Sequence, residues 1–205
     1  MGREPKNTMD SMLDVARELA RKYSTMTVDE VRLLASILVL ARFKKGELIL
    51  KAGDVSHSIN YIYKGLVRVF YYKNNKELTE HLQVENNIVM SIESLFKGIP
   101  TKLQIEALEP TVIYKLPVLE LEKISLHHAN LQMLYRKILE ESLIQSQIHA
   151  DMLRFEHASD RYEKFMKLQP EILRRAPMSY IASYLQMTPE TLSRVRNAQL
   201  MENIK

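Results

Sequence analysis

The chain has no cysteine among its 205 residues. That absence excludes disulfides, thiolate nucleophiles, zinc-finger sites, cysteine-held iron–sulfur clusters and thiol-based redox sensing together. No apolar run approaches the roughly 18 residues that span a bilayer, and Met1-Gly2-Arg3-Glu4-Pro5-Lys6-Asn7 has no apolar core behind its charges. A cytoplasmic chain with no membrane partner is the expectation. Also missing are a phosphate-cradling glycine-rich loop, a Gly-x-Ser-x-Gly elbow and an acid/base pair, so no catalytic residue is assigned and no enzyme is expected. The histidines give no metal site. His127-His128 and the pair His149 and His157 lack ligand spacing, and a lone strand histidine such as His81 reads as surface or core filler.

What is present is ordinary globular material, with 46% hydrophobic and 26% charged residues, enough to bury a proper core. A net charge of +4 is too mild to identify a nucleic-acid partner by itself, but its placement is uneven. From Arg161 onward eight Lys and Arg face four acids, so the basic excess sits at the C-terminal end.

Residues up to about 42 read as helical. Asp10 to Tyr23 form an amphipathic segment and Thr27-Val28-Asp29-Glu30 is a capping box that opens a second helix. From Phe43 to Leu116, Gly46, Gly53, Gly65 and Gly98 punctuate short β-rich runs: Leu48 to Leu50, Ile59 to Tyr63, Leu66 to Tyr72, Glu77 to Val84, Leu103 to Leu108 and Thr111 to Leu116. Lys73-Asn74-Asn75-Lys76 supplies a hairpin turn, because asparagine tolerates positive φ. Such spacing predicts a compact antiparallel barrel or roll. Val118 to Ile124 reads as a short helix. Asn130 to His157 then has neither Gly nor Pro, and Leu131, Leu134, Ile138, Glu141, Gln145, Ile148, Met152 and Phe155 recur in steps of three and four. This stripe is read as a seam between two subunits, with packing on the chain's own β region as the alternative.

The last segment carries the most specific chemistry. Met178 to Leu185 reads as one short helix with Ile181, Ala182 and Leu185 on its inner face; Gln186-Met187 turns; Thr188 caps a second helix that begins at Pro189 and turns Leu192 and Val195 inward. The outer face of that second helix carries Glu190, Thr191, Ser193, Arg194 and Arg196, side chains suited to base edges and phosphates, and its N-terminus offers free N–H groups to an anion. A helical hairpin that only packs or docks shows the same inward and outward pattern, so this reading competes with a protein-docking one.

Taken together these segments resemble the Crp/Fnr family of transcription regulators over about residues 27 to 200. Lys44-Lys45-Gly46-Glu47-Leu48-Ile49-Leu50-Lys51-Ala52-Gly53-Asp54 is similar to the family's glycine turn and first roll strand, and Tyr61-Ile62-Tyr63-Lys64-Gly65-Leu66-Val67-Arg68-Val69-Phe70 to its Lys-Gly signature between paired strands. Ile181 to Leu185 with Thr188 to Arg196 is the strongest match. The resemblance implies an α+β fold: an N-terminal antiparallel β-roll of the cyclic-nucleotide-binding, jelly-roll type with its helices (1–128), a long dimerisation helix (129–158) and a helix-turn-helix DNA-binding domain (159–205). It implies a homodimer on double-stranded DNA, with RNA polymerase as a further partner. Glu190 and Arg194 would then read bases, Thr188, Thr191, Ser193 and Arg196 would set the helix on phosphates, and Pro189 would occupy the first helical position of this DNA-binding segment; Leu131, Leu134, Ile138, Gln145, Ile148, Met152 and Phe155 would form the dimer helix.

The departures from the family pattern are equally specific. Nucleotide-binding members hold ribose with Gly-Glu and the cyclic phosphate with Arg-Ser or Arg-Thr. Here no Gly-Glu precedes the Ile92-Glu93-Ser94-Leu95-Phe96 segment, and Thr101-Lys102 stands in the phosphate position. No cofactor is predicted. A small-molecule effector other than cyclic AMP, or none, is expected, with Ser91, Thr101 and Lys102 as the candidate contacts. The chain after Arg196 is short for a β-hairpin wing. A ligand-binding or protein-interaction module that does not bind DNA is therefore the alternative function.

Overall fold

The computed structural model describes the backbone of residues 8–202 and the side chains of 11–199. Two helices lead, α1 (Thr8–Tyr23) and α2 (Val28–Ile37). The β strands follow as β1 (Val39–Phe43), β2 (Leu48–Leu50), β3 (Ser58–Lys64), β4 (Val67–Lys73), β5 (Lys76–Gln83) and β6 (Ile88–Val89), then a short helix α3 (Ile92–Lys97), β7 (Gln104–Ala107) and β8 (Thr111–Pro117). The chain closes with α4 (Val118–Ser125), the long α5 (Ala129–Phe155), α6 (Ala158–Leu168), α7 (Pro170–Arg175), α8 (Met178–Tyr184) and α9 (Pro189–Glu202). Among the described residues no helix is long and apolar enough to cross a membrane.

The strands pair antiparallel in two four-stranded sheets, β1-β8-β3-β6 and β2-β7-β4-β5, which is the expected roll. Their inner faces meet through Ile62, Val67, Val69, Val89, Ile105 and Ile113. The β4–β5 hairpin turns at Asn74 and Asn75, both at positive φ (51° and 60°), as that dipeptide predicts.

Two stretches differ from the sequence reading. The helical region stops at Ile37 rather than near 42, and Val39 to Phe43 pair with Lys115 to Thr111 of β8. An apolar run such as Leu38-Val39-Leu40-Ala41 fits either element locally, and the open edge of β8 decides between them. Between Pro170 and Pro177 the expected connection contains a helix, with Pro170 in its first turn, where a missing N–H costs nothing.

The helical layer lies on the first sheet. Its core joins Val15 and Leu19 of α1, Leu34 of α2, Leu121 of α4 and Leu131, Leu134 and Ile138 of α5 to Ile59, Tyr114 and Leu116. The capping box at Thr27 and Glu30 forms as expected, and the Glu30 carboxylate also accepts from Asn130 Nδ2 at 3.0 Å. It thereby ties the start of α2 to the start of α5.

Gly65, between β3 and β4, has φ of +115°. A Cβ there would lie 2.3 Å from Thr111 Oγ1 and 2.9 Å from its Cα, so backbone as well as side chain stands in the way. The Gly65 N–H donates to Glu85 Oε1 at 2.7 Å. Gly65→Ala is expected to lower unfolding free energy by about 2–3 kcal/mol through φ strain and overpacking. Urea denaturation should show a lower midpoint with an unchanged slope.

Candidate nucleic-acid interface

The C-terminal hairpin forms where the sequence places it. After α8 the chain reverses at Gln186, whose φ is +49°. Met187 N–H donates to Ala182 O at 2.9 Å and Gln186 N–H to Ser183 O at 3.1 Å, the paired bonds of a Schellman turn. Thr188 Oγ1 then accepts from Thr191 N–H at 3.2 Å and starts α9. Ile181, Ala182, Leu185 and Leu192 are buried in one cluster with Tyr162 and Phe165 of α6.

That packing leaves the other face of α9 free. Thr188, Pro189, Glu190, Ser193, Arg194 and Arg196 are exposed, and Thr191 is half-buried. Arg194 Nη2 lies 3.4 Å from Thr191 Oγ1, at the limit of a hydrogen bond. The Glu190 carboxyl sits below the usual carboxylate range because its own N–H and the Thr188 hydroxyl stabilise the anion. The helix start thus presents backbone and hydroxyl donors beside one acidic and two guanidinium side chains.

The helical hairpin does not stand apart from the roll. Leu66 and Leu82 of the β region belong to its apolar cluster. Ser183 Oγ accepts from the Thr79 N–H at 2.9 Å, satisfying a donor on β5, the outermost strand of its sheet. Arg68 is 1% exposed, bonds Thr79 Oγ1 at 2.9 Å and Glu77 Oε2 at 2.8 Å, and lies 3.7 Å under the Tyr180 ring. His149 of α5 stacks on Tyr184 with ring centroids 4.3 Å apart.

Arg175, the last residue of α7, closes the joint. Its Nη1 and Nη2 meet both Glu85 oxygens at 2.8 and 2.9 Å, and Nη2 meets Glu109 Oε1 at 2.6 Å. Burial alone would raise the Glu85 carboxyl, but hydrogen bonds from Arg175 and from the Gly65 N–H outweigh it and bring it down to about 2. None of Arg68, Glu85, Glu109, Arg175 and Ser183 stood out as a site residue in the sequence. Charged partners 66 and 90 residues apart leave no local signature.

The stripe on α5 divides. Leu131 and Leu134 are 0% exposed and Ile138 1%, inside the chain's own core, so the structure gives these expected seam residues to α1, α2, α4 and the β-roll instead. An amphipathic helix against an open sheet meets that sheet first. Met152 packs with the C-terminal cluster and Gln145 lines a cavity. Ile148 and Phe155 remain exposed, together with Leu143 and Ile144, which the stripe had not included.

Residues 40–128 match the family model described as the cyclic nucleotide-binding domain. No curated protein is matched by sequence. Among solved structures, FixK2 from Bradyrhizobium japonicum superposes with a TM-score of 0.68 at 19% identity, covering 82% of this chain and 87% of that one. The fold is that of FixK2, a β-roll followed by a long helix and a C-terminal helical unit. The Thermus thermophilus catabolite activator protein gives a TM-score of 0.54 at 21% identity, over 91% of this chain and 88% of that one. The c-di-GMP-responsive regulator CLP of Xanthomonas campestris gives 0.66 at 12% identity, over 86% and 93%.

Two of the candidate effector contacts are engaged with each other. Ser91 and Thr101 are buried and share a hydrogen bond of 2.8 Å, Thr101 Oγ1 also accepts from the Leu103 N–H at 2.9 Å, and Lys102 points to solvent. The three candidate effector contacts therefore form a closed hydroxyl pair and a surface ammonium. Arg175→Ala, which leaves two half-buried carboxylates unpaired, is expected to cost about 1–3 kcal/mol at pH 7, discounted for partial exposure. Because the folded Glu85 carboxyl titrates below its ordinary value of 4.5, its share of that difference is complete above that value and disappears as pH falls towards 2. Denaturation of wild type and variant between pH 7 and 3 should show the gap closing.

Proposed function

We propose that the chain is a dimeric, sequence-specific DNA-binding transcription regulator. The observation that carries this reading is the exposed, capped face of α9, with Glu190, Ser193, Arg194 and Arg196 projecting from a helix-turn-helix held on a β-roll. Glu190 and Arg194 are the base-reading residues: a carboxylate accepts from cytosine N4 and a guanidinium gives guanine two donors. Thr188, Thr191, Ser193 and Arg196 set the helix start against phosphates, where the dipole and free N–H groups favour an anion, and Pro189 fixes the first helical turn of this DNA-binding segment.

A second copy supplies the second half-site. The exposed Leu143, Ile144, Ile148 and Phe155 on α5 form the apolar surface available for it, and two recognition helices about 34 Å apart then read a palindrome. Native mass spectrometry should give a dimer, and the pair Leu143→Glu with Ile144→Glu should give a folded monomer. A wild-type monomer at micromolar concentration would count against this assembly.

Fluorescence anisotropy on duplexes drawn from upstream sequences tests recognition. Arg194→Ala should cost about 1–3 kcal/mol and relax specificity at one base pair, whereas Arg196→Ala should weaken all duplexes alike and reduce the salt slope by about 1. Sequence-independent binding that neither substitution changes would favour a β-roll module that docks a partner through its C-terminal hairpin.

A further inference from the structure

His81 and His149, which give the sequence no metal site, meet at the joint between the β-roll, the long helix and the helical hairpin. The His149 ring of α5 lies flat on the Tyr184 ring of α8, with centroids 4.3 Å apart and planes inclined by 7°. Its Nε2 is 3.2 Å from the Tyr184 carbonyl oxygen. A carbonyl oxygen only accepts, so in this bond Nε2 carries the proton and Nδ1 is the nitrogen left to take another. The His81 ring of β5 lies alongside, 5.8 Å from the His149 centroid. Two imidazoles and a phenol thus join three elements, and Phe165 of α6 backs the phenol at 5.7 Å.

The groups facing this pair offer little to balance a positive charge. On β5, Glu80 Oε1 is 3.8 Å from His81 Nε2, beyond hydrogen-bond reach, and burial raises its own carboxyl. Across the cavity that His81 lines, α5 brings Glu141, α7 brings Glu171 and α1 brings Lys22 and Tyr23. Glu141 is engaged by Lys22 Nζ at 3.2 Å and by the Tyr23 side chain, and Glu171 by Arg174 Nη2 at 2.6 Å. Asp151, two residues along α5, accepts from Gln147 Nε2 at 2.9 Å. From α8 comes the Tyr184 phenol, which burial pushes up, and further along that helix the Arg68 guanidinium of β4 is held by Glu77 Oε2 at 2.8 Å.

These surroundings set the direction in which a proton acts. Burial, and then the charge of a protonated His149, push His81 down to about 4; burial also lowers His149, against the bond to the Tyr184 carbonyl. With the hairpin lifted off the roll both rings meet water and titrate near 6.5. The docked arrangement is therefore fully favoured above 6.5 and loses ground as pH falls towards 4, because the lifted state binds protons first. The Arg175 clamp acts in a lower window, since Glu85 is held down to about 2.

We propose that the His149–Tyr184 stack, with His81 beside it, is a proton-operated latch: neutral imidazoles hold α8 on β5 and α5, and protonation, which sets like charges side by side without a bonded counter-ion, lets α8 lift. Lifting breaks the Ser183–Thr79 bond and carries α9 along. The consequence for duplex affinity rests on the DNA-binding reading; the latch does not.

Hydrogen exchange on the full chain, corrected for the intrinsic pH dependence of amide exchange, reads the latch at residues 178–185. Between pH 7.5 and 5.5 the opening equilibrium there should rise about tenfold through His81, with a further rise through His149. Residues 130–138, in the core of α5, should change by less than about twofold. His149→Phe keeps a flat ring on Tyr184 without a titrating group, and His81→Leu removes the second imidazole. Each should take away its own share of the rise and the double variant should abolish it, which separates the histidines from Glu80. If the double variant fails to fold, His81→Gln alone should remove the tenfold part. No rise in wild type, an equal rise in the variants, or a rise shared by residues 130–138 overturns the latch. Duplex binding by wild type and double variant at both pH values separates the two readings. Opening that leaves the ratio of their affinities unchanged overturns only the coupling, and a chain that binds no duplex at either pH loses only the DNA reading.

Discussion

The C-terminal helices are too few to close a core among themselves, and the organisation of the molecule follows from how that shortage is met. A small helical unit buries a low fraction of its surface, and here its apolar cluster is completed by Leu66 and Leu82 of the β-roll. Each buried leucine is worth roughly 1.5–3 kcal/mol. The Arg175 clamp and the Ser183 bond to β5 then make the joint directional, because guanidinium and hydroxyl geometry admit one register where leucines would tolerate several. Gly65 belongs to the same constraint: its N–H holds the Glu85 carboxylate that holds Arg175.

Attachment and exposure are divided between the two helices of the hairpin. Tyr180 and Ser183 of α8 are spent on Arg68 and Thr79, so α8 serves as the attachment surface, and α9 is left with its polar face in solvent. Any change in how α8 sits on β5 would therefore be transmitted to the position of α9 as a rigid body, through the Schellman turn at Gln186. The cavity walled by β5, α5 and the α6–α7 corner lies next to this joint. A conformational bias applied there acts where the roll, α5 and the helix-turn-helix already touch.

Much of this was legible in particular residues before the fold was known. Asn74-Asn75 marked the hairpin, Thr27 with Glu30 the start of α2, and Thr188-Pro189 the start of α9, because turns and caps depend on side chains within three or four residues of the backbone they bond. The outward face of α9 was legible for the same reason, since Leu192 and Val195 fix which side turns in. The stripe on α5 misled in part. Periodicity reports that a helix has an apolar face but not what covers it, and Leu131, Leu134 and Ile138 went to the chain's own core while the exposed Leu143 and Ile144 lay off the pattern.

By itself the sequence determined the order of helix, roll, long helix and helical hairpin, and the excluded chemistries that follow from lacking cysteine. These are local matters of composition, spacing and capping. Only the tertiary structure decided that Val39 to Phe43 would be a strand, that Arg175 would meet Glu85 and Glu109, that Ser183 would cap an edge strand, and where a cavity would open. Each of those depends on groups tens of residues apart arriving at hydrogen-bond distance, and the energy that brings them there comes from burying the two sheets and the helices against one another, not from any segment alone.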